Sequence, residues 1–144
     1  MGYSSRIQPA APYPLVELIV GRLIERVPGL LAVYRFGSFG TPAQRPDSDI
    51  DLGLLGGTPL NSMFLFDLAG ELATLAHREV DLIDLITCST VLRAQVVATG
   101  ERVFCRDSYR CESFATTAFN RYAHLNEARR AILDDIAARG AVHG

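Results

Sequence analysis

Val33-Tyr34-Arg35-Phe36-Gly37-Ser38, then a ten-residue loop containing Pro42 and Pro46, then Asp49-Ile50-Asp51-Leu52: this stretch decides the fold. A strand-like apolar run ends in Gly-Ser, and a second apolar run opens with two carboxylates two positions apart. In an extended strand the side chains at i and i+2 point to the same face. Asp49 and Asp51 therefore stand side by side, with Ile50 and Leu52 turned the other way. Carboxylates held that close repel, and a divalent cation relieves the repulsion. Carboxylate oxygens together with substrate phosphates are the ligands that magnesium prefers.

The Gly-Ser pair supplies the other half of a phosphate site. Gly37 lets the backbone approach a bulky anion and tolerates positive φ. Ser38 offers a hydroxyl and a backbone N–H, and a helix starting soon after would add its free N–H groups. A nucleoside triphosphate with its magnesium fits between Gly37-Ser38 and Asp49/Asp51. A third acid is available in Glu79-Val80-Asp81-Leu82-Ile83-Asp84-Leu85-Ile86, which reads as a strand of aliphatic and β-branched residues. Asp81 and Asp84 are three apart, so they face opposite sides of that strand. Alternation alone does not choose between them.

These motifs resemble the minimal nucleotidyltransferases of the polymerase-β superfamily. More closely, the chain is similar to the MntA-type antitoxins encoded beside HEPN-domain toxins, over roughly Phe36 to Phe104. The resemblance implies a polymerase-β-like α/β fold, with a small mixed sheet flanked by helices and a long C-terminal helix. It implies that Asp49 and Asp51 bind Mg2+ and that the third acid is Asp81. The activity implied is transfer of AMP from ATP to a tyrosine of a cognate HEPN toxin, in a hetero-oligomer. Relatives carry a basic residue three positions after the serine, often followed by glycine; Thr41 and Pro42 stand there instead. Arg45, later in the loop, can supply the phosphate-neutralising charge, as can Arg35 if its strand face allows. Two other readings compete: an antitoxin that blocks its toxin sterically, and a nucleotidyltransferase acting on a small molecule.

Composition agrees with one globular domain. The chain has 144 residues and 49% are apolar, which argues against disorder. Lys+Arg of 14 against Asp+Glu of 16 gives a net charge of −2, so there is no broad footprint for nucleic acid. Cys88, Cys105 and Cys111 form no C-x-x-C pair, which fits free thiols in a reducing compartment. No targeting segment or membrane-length apolar run is evident, so a cytoplasmic location is expected.

The pattern along the chain predicts a flexible lead-in over 1–13, a nucleotidyltransferase core over 14–106, and a C-terminal helix and tail over 107–144 in the same domain. Pro14 suits a first helical turn, and Leu15, Leu18, Ile19, Arg22, Leu23 and Val27 form its stripe up to Pro28-Gly29. Strands are expected over 30–36, 49–55, 80–86 and 101–105. Helices are expected after Asn61 or Ser62, after Ser89 until Gly100, and from Asp107 until Gly140. Phe114, Tyr122 and Leu125 on the last helix, with its arginines, are expected to dock a partner. His77 is expected to end a helix, where a cation suits the dipole.

Overall fold

The structure, a computed structural model, describes residues 14–37 and 49–143. Helix α1 (Pro14–Arg26) leads into strand β1 (Ala32–Phe36). Strand β2 (Ile50–Leu55), helix α2 (Ser62–Ala76) and strand β3 (Val80–Asp84) form a β-α-β unit. Helix α3 (Thr90–Thr99), strand β4 (Glu101–Cys105) and helix α4 (Ser108–His143) follow. The four strands make one mixed sheet in the order β3-β2-β1-β4. The β1 strand is antiparallel to both β2 and β4, whereas β2 and β3 run parallel. The expected lead-in over 1–13 lies outside the described residues. Among the described residues no helix is long and apolar enough to cross a membrane.

Two apolar layers sandwich the sheet. On one face, Val16, Ile19, Val20 and Leu23 of α1 and Leu65, Leu68 and Leu72 of α2 pack on Val33, Ile50, Leu52 and Leu54. On the other, Ala32, Tyr34 and Leu55 meet Val96 of α3 and Cys111 of α4. The expected stripe on α1 needs one correction: Leu18 is 52% exposed. At about 100° per residue it lies about 200° round the helix from Val16, which is buried. Phe114, expected on a docking surface, instead packs against the second core.

Local chemistry sets the element ends. Asn61 caps α2 by accepting from Phe64 N at 3.0 Å, and Ser89 caps α3 by accepting from Leu92 N at 3.1 Å. His77 closes α2 in the left-handed region, at φ 56°, with its N–H on Ala73 O. The β3 strand stops at Asp84, two residues short of expectation. The Asp84 carboxylate accepts from Ile86 N at 2.9 Å, which curls the chain, and from Leu60 N at 2.8 Å. Buried Arg93 then holds that turn through Leu85 O at 2.6 Å, Ile86 O at 2.9 Å and Cys88 O at 2.7 Å. Gly140, expected to stop α4, does not, and the helix runs to His143. Glycine inside a helix weakens it by about 1 kcal/mol without removing a hydrogen-bond donor.

Asp84→Ala leaves two N–H groups without their acceptor. It should destabilise the protein by about 2–4 kcal/mol in urea unfolding. A loss under about 0.5 kcal/mol would show that this carboxylate does not hold the turn.

Candidate active site

The parallel register of β2 and β3 sets Asp51 directly beside Asp81, so the two side chains share a face. Asp49, two residues before Asp51 at the mouth of β2, joins that face and is exposed. Asp81 is exposed as well, while Asp51 is half-buried. Asp84 pairs with Leu54 in the same ladder and belongs to the opposite face, where its oxygens are spent on backbone N–H groups. The choice that alternation left open therefore falls on Asp81 as neighbour of the Asp pair.

Charge crowding is visible in the chemistry of Asp51. Burial pushes its carboxyl above the usual aspartate value, and the Asp81 and Asp49 carboxylates push it further. Among the described residues no three acidic, histidine or cysteine side chains already converge into a coordinating cluster. The three carboxylates thus interact across a gap. Asp49 and Asp81, being exposed, can change rotamer towards a cation without disturbing the core. All three are hard oxygen donors, the type that suits magnesium.

Gly37 closes the other side. Phe36 pairs with Asp51 across β1 and β2, and the next residue turns away at φ 77°. A Cβ on Gly37 would meet Asp51 Oδ2 and push that carboxylate aside, and the positive φ itself favours glycine here. Phe36, Gly37 and Asp51 share a cavity of about 300 Å3 with Leu92, Gln95, Val96 and Thr99 of α3. The α3 residues were not marked as site residues in the sequence. Leu92, Val96 and Thr99 recur at helical spacing, but nothing local says which strand end that face covers.

Ser38, Thr41, Pro42 and Arg45 lie outside the described residues. Arg35 does not stand with the acids. It pairs with Leu52, on the opposite face of the sheet, is buried, and meets Glu101 Oε1 at 3.3 Å. The cysteines are free: Cys105 Sγ lies 3.2 Å from Cys111 Sγ in the second core. Burial, followed by the hydrogen bond shared with Cys105, pushes the Cys111 thiol up to about 11, which leaves it protonated and unreactive.

A family model described as polymerase beta, nucleotidyltransferase matches residues 20–109, from α1 into the start of α4. The chain belongs to the polymerase-β nucleotidyltransferase family. It is 37% identical over 123 residues to the protein adenylyltransferase MntA of Shewanella oneidensis, covering 85% of this chain and 88% of that one. Among solved structures, a toxin–antitoxin complex with AMP-PNP superposes with a TM-score of 0.76 at 36% identity, covering 83% of this chain and 96% of that one. A second is the MNT antitoxin bound to tri-AMPylated HEPN toxin of Shewanella oneidensis: TM-score 0.73, 34% identity, 85% of this chain and 95% of that one. Within this nucleotidyltransferase fold, Asp49, Asp51 and Asp81 share one face at one end of the sheet.

The raised Asp51 value fixes a sign. The folded state holds this proton more tightly than the unfolded chain, so the group favours folding below its unfolded value of 3.8. That contribution is lost as pH rises through the raised folded value, and at neutral pH the whole penalty is present. Asp51→Asn should therefore melt at or above the wild-type temperature at pH 7 without divalent ions, with the difference shrinking towards pH 3. A clearly lower melting temperature at pH 7 would contradict the crowding.

Proposed function

We propose that this protein is the antitoxin of a HEPN–MNT pair and that it transfers AMP from ATP to a tyrosine hydroxyl of its toxin. The phenolic oxygen bonds to the α-phosphorus, the bond from that phosphorus to the bridging oxygen breaks, and pyrophosphate leaves. The single observation that carries this reading is the juxtaposition of Asp51 and Asp81 beside the Gly37 cavity. The MntA relative, named as a protein adenylyltransferase, supports AMP as the transferred group, and the complex with tri-AMPylated toxin supports a HEPN toxin as acceptor. The complex with AMP-PNP supports ATP as donor.

The residues divide the work. Asp49, Asp51 and Asp81 would hold Mg2+, which when bound neutralises the triphosphate and activates the attacking and leaving oxygens. Asp81, which is exposed, would also help to take the phenolic proton. Gly37 and Ser38 would cradle the β- and γ-phosphates, with Arg45 adding positive charge. Little covalent work falls to the protein itself, so most of the rate comes from positioning and charge complementarity. The reading places the protein in the cytoplasm, where its free thiols stay reduced. The steric-antitoxin reading draws on Thr41 and Pro42, which stand where relatives carry a basic residue.

Intact-mass spectrometry separates the two. Toxin incubated with this protein, ATP and Mg2+ should gain AMP on a tyrosine, and chelation should abolish the gain. Asp81→Asn should slow transfer by about a hundredfold or more, the scale of losing one preorganised electrostatic group. Folded Asp84→Asn should keep most of it. Toxin neutralised with no gain in mass would favour the steric reading.

A further inference from the structure

Helix α3 separates two hollows. On one side lies the cavity with Gly37 and Asp51, walled by Leu92, Gln95, Val96 and Thr99. On the other lies a second cavity of about 270 Å3, lined by Val91, Ala94, Gln95, Ala98, Phe119 and Tyr122. Gln95 is common to both and stands exposed on the crest between them. Among the described residues its side-chain amide has no hydrogen-bond partner. The second cavity plays no part in the chemistry assigned above, yet it opens one side chain away from the acids.

Its lining has a definite chemistry. Ala94 and Ala98 leave room beside the helix, and Phe119 and Tyr122 from α4 contribute two aromatic rings that are 44% and 37% exposed. Such a slot suits a flat heteroaromatic ring, which stacks on aromatic side chains whatever its substituents. The amide of Gln95 adds what stacking lacks. It offers one acceptor and one donor side by side. Adenine presents a matching amino donor beside a ring-nitrogen acceptor, whereas guanine shows two acceptors on the corresponding edge.

Resting on the nucleotidyltransferase reading, we propose that this second cavity holds the nucleobase of the bound nucleotide and that Gln95 reads it as adenine. The triphosphate then lies by Asp51 and Gly37, the sugar crosses the crest of α3 at Gln95, and the base lies against Phe119 and Tyr122. Helix α4 thereby becomes part of the nucleotide site. An acceptor tyrosine fits the slot less well. Its ring would fill the cavity while its hydroxyl had to cross Gln95 to reach the acids.

Calorimetry with non-hydrolysable ATP and GTP analogues and Mg2+ tests this on the whole protein. Wild type should prefer the adenine analogue. Gln95→Ala and Gln95→Glu should each weaken that analogue about tenfold and bring the two affinities together. Tyr122→Ala should weaken both analogues by a similar factor, and Tyr122→Phe should restore them. Circular dichroism of each variant checks that it is folded. Affinities and base preference unchanged in Gln95→Ala, Gln95→Glu and Tyr122→Ala would overturn the base site. So would Tyr122→Ala that binds nucleotide normally but no longer modifies the toxin, which would give the slot to the acceptor. Wild-type protein that binds neither analogue would bring down the nucleotidyl-transfer reading itself.

Discussion

The in-register parallel pairing of β2 with β3 is the constraint on which the site depends. It opposes Asp51 to Asp81 and, by the same register, Leu54 to Asp84. One acid of β3 is thereby delivered to its charged neighbours and the other to backbone donors. A shift of one residue would exchange those fates and turn Asp81, in place of Asp84, towards the face of Leu52 and Leu54. The register is held from outside the ladder as well. Asp84 ties β3 to the segment before α2, and Arg93 ties the following turn to α3. Both groups are buried, and both spend their charge on the backbone. The fold thus accepts repulsion at Asp51 and concentrates polar satisfaction just behind it. That is the pattern expected where local stability is traded for a functional arrangement.

Much of this was legible in the chain. Glycine beside an apolar run and Asp-x-Asp at the head of another carry their geometry in the i, i+2 rule, so the pairing of Asp49 with Asp51 needed no tertiary information. Asn61, Ser89 and Gly100 marked helix ends because capping is local chemistry. What stayed hidden was set by neighbours distant in sequence. The face taken by Asp81 depends on β2, which lies an entire helix away. Arg35 looked available for phosphate until the sheet turned it towards Glu101. The early end of β3 follows from a side chain folding back on its own backbone, which competes with strand continuation without altering the hydrophobic pattern. Gln95 gave no signal, because a polar residue on a helix crest reads as solvent-facing until α4 and the sheet are packed around it.

The long α4 helix shows the same contrast between its halves. Cys111, Phe114 and Ala118 are packed into the domain, whereas Ile132, Leu133 and Ile136 are 59%, 64% and 58% exposed. Apolar side chains repeated along one helix and left uncovered suit contact with another macromolecule. This accords with the proposed transfer to a partner chain. The apolar and arginine surface expected there from the sequence is thus present, but lies further along the helix than Phe114.

The proposed chemistry needs one cation site built from Asp49, Asp51 and Asp81. Anomalous diffraction from crystals grown with Mn2+ and a non-hydrolysable ATP analogue tests it most directly. Manganese should be bonded to carboxylate oxygens of all three residues, at the roughly 2.0–2.2 Å of small octahedral cations, with the phosphates alongside. Manganese bound away from these carboxylates, or a cation held by Asp49 and Asp51 with Asp81 outside its coordination sphere, would contradict it.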